Sequence, residues 1–148
     1  MTWVLVVEDE ADHRILVREA LGRLAPSVPI SEAGTVEEAM EWMEGRASLN
    51  DSSARGGLVI LDLGLPGAPG FALLEWMRED TPFERVPVVV LTASENAMDA
   101  EHAFNLGAKG YFQKPSDFQQ YLGIFRRVFN IAEKARESGA LRSDGGNA

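Results

Sequence analysis

The chain has 148 residues, 45% of them hydrophobic, which is enough for one hydrophobic core of ordinary domain size. Its formal net charge of -9 argues against a nucleic-acid partner, because a nucleic-acid-binding surface needs a basic patch. The chain has no cysteine and its apolar runs are only as long as strands, so disulfides and a membrane helix are excluded and a cytoplasmic protein is expected.

The chain begins with a strand, helix, strand, helix pattern. The apolar, β-branched segment 4–7 predicts a strand buried on both faces, and the spacing of apolar residues predicts a helix over 11–24. Residues 28–32 predict a short second strand. Thr35 is a candidate N-cap for a second helix that ends near Gly45.

A polar segment separates this pattern from the middle of the chain. Residues 46–57 are small and polar, and they exceed the roughly two to six residues usual in such a connection. They are therefore predicted to form a flexible surface insertion. A third strand follows at 58–61, and the apolar residues of 71–77 predict a helix that ends before Pro82.

Two more strand and helix pairs complete the pattern. Residues 86–91 predict a fourth strand, and Ser94 is a candidate N-cap for a helix that Gly107 terminates. A short fifth strand is predicted at 109–113. From Asp117 onward, aromatic and aliphatic residues repeat with helical period and predict a fifth helix.

Strands that alternate with helices in this way predict an α/β domain with a parallel sheet. We expect the flavodoxin-like (βα)5 doubly wound fold, with a five-stranded parallel sheet in the strand order 2-1-3-4-5. The domain is predicted to span residues 1–137. The polar, glycine-rich residues 138–148 are predicted to form a disordered tail.

Polar side chains follow four of the predicted strands: Asp9, Asp62, Thr92 and Lys114. Because the carboxyl ends of parallel strands meet at one edge of a sheet, we expect these side chains to converge. Clustered carboxylates favour a hard divalent cation such as Mg²⁺, a lysine adds a positive charge, and an aspartate can act as a nucleophile. The set therefore indicates a phosphoryl-transfer site.

These residues resemble the motifs of the CheY-like receiver domains of two-component response regulators. Thr92 lies 30 residues beyond Asp62 and Lys114 lies 52 residues beyond it, as in the family pattern. The resemblance covers about residues 3–135. The motifs that carry it are Glu8-Asp9, Asp62-Leu63-Gly64-Leu65-Pro66 with Gly70, Thr92-Ala93 and Lys114-Pro115.

The resemblance implies that Asp62 accepts a phosphoryl group from a sensor histidine kinase or a phosphotransfer protein. Glu8, Asp9, Asp62 and the backbone carbonyl of Gly64 are then the expected ligands of a magnesium cofactor. The protein is not expected to be an enzyme, beyond catalysing its own phosphorylation and dephosphorylation.

The same resemblance implies roles for three further side chains. Thr92 is expected to donate its hydroxyl to the phosphoryl group, and Lys114 is expected to contact a phosphoryl oxygen. Tyr111 matches the aromatic switch position of similar receivers. We also consider a cis peptide between Lys114 and Pro115, since the bond before a proline tolerates the cis form.

The expected output is a change in protein contacts. We expect no output domain beyond the predicted receiver, so an unknown downstream protein is expected to recognise the face formed by the fourth helix, fifth strand and fifth helix. Tyr121, Phe125 and Phe129 exceed what one buried stripe needs, which adds a homodimer through this face as a hypothesis. Residues 80–87 and 114–117 are also similar to small receivers that are paired with phytochrome-type kinases.

Two other functions fit parts of the pattern. One is a phosphorylation-independent binding module with a receiver fold, although the complete set of acidic, threonine and lysine residues argues against it. The other is an aspartate-nucleophile phosphatase of the haloacid dehalogenase type. That family needs a second aspartate two residues after the nucleophile, and Gly64 stands there. A stand-alone response regulator is the interpretation that the residues favour.

Overall fold

A five-stranded parallel sheet in the order β2-β1-β3-β4-β5 forms the centre of the protein, which confirms the predicted flavodoxin-like fold. The computed structural model describes residues 1–47, 56–79 and 81–145, with side chains through 137. The elements are β1 Trp3–Val7, α1 Ala11–Leu24, β2 Ile30–Ala33, α2 Val36–Ala47, β3 Gly57–Leu61, α3 Phe71–Arg78, β4 Val88–Thr92, α4 Ala97–Asn105, β5 Gly110–Gln113 and α5 Phe118–Gly145.

Both faces of the sheet are covered, and the central strands are buried along their whole length. In β1, Val4 and Val6 point to the core shared with α1 and α5, whereas Leu5 and Val7 point to the core shared with α2 and α3. This double burial explains why β1 is uniformly apolar, because neither of its faces meets water. Among the described residues, no helix is both long enough and apolar enough to cross a membrane.

The strand register sets the geometry of the carboxyl edge. Val7, the last residue of β1, pairs with Leu61, the last residue of β3. The residues that follow, Glu8 and Asp62, therefore leave the sheet side by side. The Asp62 amide also donates a hydrogen bond to the Val7 carbonyl at 3.0 Å, which continues the strand pairing up to the acidic residues.

The N-cap of α4 differs from the prediction. Asn96, not Ser94, caps the helix, because its side-chain oxygen accepts a hydrogen bond from the Met98 amide at 2.9 Å. The Ser94 hydroxyl instead donates to Asp99 at 2.6 Å. Asparagine is as good an N-cap as serine, so the local sequence allowed either residue. The predicted cap of α2 is confirmed, since the Thr35 hydroxyl accepts from an amide of the first turn at 3.1 Å.

The boundaries of the predicted insertion and tail also differ. Residues 46–47 belong to α2 and Gly57 begins β3, while 48–55 lie outside the described residues. Helix α5 runs to Gly145, so 138–145 of the predicted disordered tail is helical and 146–148 lies outside the described residues. Each residue added to a formed helix contributes a hydrogen bond without a new nucleation cost, which allows α5 to continue into a polar segment.

Candidate functional site

Two carboxylates are buried at the carboxyl edge of the sheet. Glu8 follows β1 and is 4% exposed, and Asp62 follows β3 and is 5% exposed. Asp9, next to Glu8, is exposed to solvent. Acidic residues are rarely buried to this extent without a partner that compensates their charge.

Lys114 provides that partner. Its ammonium nitrogen lies 2.7 Å from Glu8 Oε1 and 3.0 Å from Asp62 Oδ2. Its backbone amide donates to the Thr92 carbonyl at 2.7 Å, which fixes the lysine at the end of β5. The peptide between Lys114 and Pro115 is trans, so the cis prediction was wrong. The direction of β5 and the bond to Thr92 suffice to orient the lysine, and trans is the preferred isomer.

The pKa values of the two buried carboxyl groups are shifted in opposite directions. Burial raises the pKa of Glu8 above its usual value of 4.5, and the hydrogen bond from Lys114 opposes this only in part. Burial also acts to raise the pKa of Asp62, but hydrogen bonds from Lys114 and the Gly64 amide outweigh it and hold that pKa below 3.8. The pKa of Lys114 is raised, because its two carboxylate partners outweigh the effect of burial. Asp62 is therefore ionised at neutral pH.

The remaining predicted residues lie around Asp62. The Gly64 amide donates to Asp62 Oδ1 at 3.1 Å, and the buried Thr92 hydroxyl also lowers the pKa of Asp62 through a hydrogen bond. Tyr111 is half-buried on β5, and its hydroxyl donates to the Ser94 carbonyl at 3.3 Å. These three residues therefore lie at the carboxyl edge of the sheet or beside it.

Gly70 packs directly against the backbone of Asp62. A Cβ atom at this position would lie 2.5 Å from the Asp62 carbonyl oxygen and 2.9 Å from the Leu63 Cα, closer than non-bonded atoms can approach. The Gly70 amide also donates to the Leu63 carbonyl at 3.2 Å. The glycine therefore allows the start of α3 to support the loop that carries Asp62.

A metal ion would find suitable ligands in this cluster. One carboxylate oxygen each from Glu8, Asp9 and Asp62 lie within 4.8 Å of one another. An all-oxygen set of this kind suits a hard divalent cation such as Mg²⁺. The position of Lys114 between Glu8 and Asp62 shows that the cluster attracts a cation, since the ammonium is held by both carboxylates.

Two residues near the cluster were not identified from the sequence. The Arg14 guanidinium donates to the Glu8 carbonyl at 3.0 Å and also pairs with Glu32 at 3.2 Å. His13 Nδ1 lies 3.4 Å from Glu8 Oε1 and 3.5 Å from Glu10 Oε2. Their position in the first turn of α1, directly after the acidic residues, was the only signal in the sequence, and it does not indicate a specific contact.

Two of the three aromatic residues of α5 that suggested an interaction surface are buried, and the third, Phe129, is half-buried. Tyr121 is 1% exposed and Phe125 is fully buried, so both rings belong to the core and cannot contact another protein. Tyr121 lies against the core beside Phe125, with ring centroids 6.2 Å apart. The exposed apolar side chains near this face are instead Met98 and Phe104 on α4.

Comparison with known protein sequences identifies relatives along most of the chain. A family model described as the response regulator receiver domain matches residues 4–126. The transcriptional activator protein IrlR of Burkholderia pseudomallei is 33% identical over 141 residues, which cover 94% of this chain and 55% of IrlR. The KDP operon transcriptional regulatory protein KdpE of Escherichia coli is 36% identical over 115 residues, which cover 78% of this chain and 45% of KdpE. This chain therefore spans about half the length of these two curated relatives.

Two solved structures show the same fold at similar identity. The phosphorylated cyanobacterial phytochrome response regulator RcpA has a TM-score of 0.75 and 26% identity, over 88% of this chain and 93% of RcpA. The Mn²⁺-bound form of the response regulator Rcp1 has a TM-score of 0.69 and 26% identity, over 84% of this chain and 91% of Rcp1. The family match and both structural comparisons therefore cover most of the chain.

Proposed function

Since the chain belongs to the receiver-domain family of two-component response regulators, we propose that Asp62 accepts a phosphoryl group from a sensor histidine kinase or a phosphotransfer protein. The carrying observation is that Lys114 joins the buried Asp62 to Glu8 at the carboxyl edge of the sheet. Phosphoryl transfer depends chiefly on positioning and charge neutralisation, and this arrangement provides both.

The proposed reaction exchanges one bond to phosphorus for another. A carboxylate oxygen of Asp62 attacks the phosphorus of a phosphohistidine in line and forms a P–O bond. The P–N bond breaks, and the histidine nitrogen leaves with its electron pair and takes up a proton from solvent. The lowered pKa of Asp62 supports this role, because the attacking group must be ionised.

The residues around Asp62 would together hold the groups that neutralise the negative charge of the transferred phosphoryl group. Glu8, Asp9, Asp62 and the Gly64 carbonyl would hold Mg²⁺, which when bound would neutralise charge on phosphoryl oxygens. Lys114 would contact a second phosphoryl oxygen, since its ammonium already lies 3.0 Å from Asp62. The hydroxyl of Thr92 would donate a hydrogen bond to the group. The structure of RcpA is of the phosphorylated protein, and that of Rcp1 is of a Mn²⁺-bound form. These two similar proteins support both the proposed phosphorylation and the proposed metal site.

The output is proposed to pass from Thr92 through Tyr111 to the α4-β5-α5 face. The hydroxyl of Tyr111 bonds the Ser94 carbonyl in the segment between β4 and α4, so movement of this segment would alter the position of the ring. Phosphorylation would thereby shift a two-state equilibrium at this face. A downstream protein or a second copy of the chain would bind the favoured state.

Phosphorylation at Asp62 is tested by intact mass after incubation with acetyl phosphate. We expect a mass increase of one phosphoryl group in the wild type with Mg²⁺, and none when the ion is removed with a chelator. Asp62→Asn should take up no phosphoryl group. The matched control is Asp12→Asn, which removes an exposed carboxylate in the first turn of α1 and should retain the adduct.

Two outcomes would contradict the proposal. An adduct that persists in Asp62→Asn would place the acceptor elsewhere. A wild type that stays unmodified with Mg²⁺, while circular dichroism shows a folded protein, would favour the phosphorylation-independent binding module.

A further inference from the structure

A second concave site lies at the opposite edge of the sheet from the acidic cluster. A cleft of about 650 Å³ opens between the end of α3, the segments that lead into β4 and β5, and the second half of α5. Val88, the first residue of β4, and Lys109, which directly precedes β5, line it. Sites for small molecules have volumes of roughly 300–1,000 Å³, so this cleft is large enough for one.

The lining of the cleft is cationic in a protein that is strongly acidic as a whole. Among the described residues that line it, four are basic and Glu84 is the one that is acidic. The whole chain, in contrast, carries a net charge of -9. Basic residues are therefore concentrated here against the overall composition, and the cleft is complementary to a negative ligand. The basic residues are Arg78, Arg85, Lys109 and Lys134.

Three of these cations are available to a ligand. Within the described part of the chain, no side-chain hydrogen bond or ion pair engages Arg85, Lys109 or Lys134, and all three side chains are exposed. Arg78 is held in place, because its guanidinium donates to the Asn105 carbonyl at 2.8 Å. The cleft thus combines one fixed guanidinium with three charges that can move onto an anion.

The floor of the cleft is apolar. Leu74, Met77 and Val86 are buried at its base, and Leu106 and Ile131 are half-buried at its sides. A simple inorganic anion would leave this surface uncovered, whereas a ligand with an apolar part would cover it and gain from its burial. The cationic rim and the apolar floor together select for a molecule that has both properties.

We propose that this cleft binds a small organic anion in which a phosphate, sulfonate or carboxylate group adjoins an apolar ring system. The anionic group would lie against Lys109, Lys134 and Arg85 at the rim, and the ring system would lie against the floor. This site shares no residue with the acidic cluster, so the inference stands whether or not Asp62 is phosphorylated.

Three probes separate the two parts of the proposed recognition. The first is 8-anilinonaphthalene-1-sulfonate, which has an anionic group and an aromatic body. The second is N-phenyl-1-naphthylamine, which has the same rings without the sulfonate, and the third is inorganic phosphate. We expect saturable 1:1 binding of the first probe and binding at least tenfold weaker for the other two, with amide shifts at Gly107 and Lys109 in nuclear magnetic resonance spectra.

Substitutions at the rim test the location. Loss of one exposed charge should weaken binding of the sulfonate probe about two- to fivefold in Lys109→Gln or Lys134→Gln, and roughly tenfold or more when Arg85→Gln is added to both. The matched control is Arg126→Gln, which removes an exposed charge from α5 outside the cleft and should leave binding unchanged.

Either of two results would overturn the proposal. One is binding of the sulfonate probe that the triple variant does not weaken, or that shifts amides only at other surfaces. The other is equal binding of the neutral probe, which would show that the rim charges select nothing.

Discussion

The buried charges of Glu8, Asp62 and Lys114 do not balance. Two carboxylates share one ammonium, and the opposite pKa directions show that Asp62 is stabilised in its ionised form whereas Glu8 is not. Ionisation of Glu8 therefore carries a free-energy cost in the native state when no metal ion is bound. A divalent ion at this position would remove the imbalance, because it adds the missing positive charge.

This imbalance predicts a pH-dependent effect of Glu8→Gln. Because the pKa of Glu8 is raised in the folded state, the native protein binds more protons than the unfolded chain as pH rises above 4.5, and the free energy of unfolding falls through this window. The variant lacks this titration. Its free energy of unfolding relative to wild type should increase as pH rises from 4.5 through the folded pKa of Glu8.

Urea unfolding in the presence of a chelator, at a series of pH values, measures this difference. Glu37→Gln, which removes an exposed carboxylate from α2, is the control and should show no such trend. A difference between Glu8→Gln and wild type that stays constant across the window would contradict the prediction.

At the level of elements, two contacts hold the acidic loops in place: Gly70 at the start of α3 and Arg14 on α1. Gly70→Ala should lower the free energy of unfolding by about 1–3 kcal/mol, because the added methyl group would overlap backbone atoms that cannot move aside. It should also reduce phosphorylation, since the overlap displaces the Asp62 backbone.

Gly123→Ala provides the matched glycine control. It lies within α5, and a Cβ there would meet no heavy atom of the described residues within 4 Å apart from the adjoining backbone of its own helix. Alanine should therefore stabilise the protein by about 0.5–1 kcal/mol through helix propensity. Denaturant unfolding of both variants measures the contrast, and equal effects of the two substitutions would show that Gly70 is not sterically required.

Arg14 should act as a positioning residue for the proposed metal site. Arg14 and Arg18 both pair with Glu32, at 3.2 and 2.7 Å, but only Arg14 also donates to the Glu8 carbonyl. Arg14→Ala should weaken Mg²⁺ binding roughly tenfold, as is usual when a group that orients a metal ligand is lost.

Arg18→Ala removes a similar surface ion pair and should leave Mg²⁺ binding nearly unchanged. Calorimetric titration of both variants with Mg²⁺ measures the effect. If the two substitutions weaken binding equally, the contact between Arg14 and Glu8 has no specific role.

At the level of the whole molecule, exposed apolar side chains lie on opposite sides of the fold. Met98 on α4 is 74% exposed and Ile15 on α1 is 56% exposed. If the activated α4-β5-α5 face binds a second copy, Met98→Lys should prevent dimer formation, because it would bury an unpaired charge. Ile15→Lys, an equally drastic change on another face, should not.

Sedimentation velocity with Mg²⁺ and beryllofluoride, a mimic of the phosphoryl group, measures this prediction. The wild type and Ile15→Lys should shift toward a dimer, and Met98→Lys should remain a monomer. A wild type that is monomeric with and without the mimic would remove the homodimer from the proposed function.

The sequence by itself determined the order and type of the elements, and the resemblance of its motifs to receiver domains implied the strand order of the sheet. Strands buried on both faces and amphipathic helices have distinct local periodicities, and the turn residues that separate them are equally local. The residues at the carboxyl edge could be named for a related reason. A parallel sheet brings together whatever follows its strands, so Asp62, Thr92 and Lys114 converge once the topology is known.

Only the tertiary structure decided how these residues and their neighbours contact one another. The burial of Tyr121 and Phe125 depends on how α5 packs on the sheet, and the contact between Arg14 and Glu8 depends on the orientation of α1. The cationic cleft joins residues of α3, of the segments that lead into β4 and β5, and of α5, which are distant in sequence. Such contacts arise from the packing of separate elements, and the periodicity of a single segment contains no information about them.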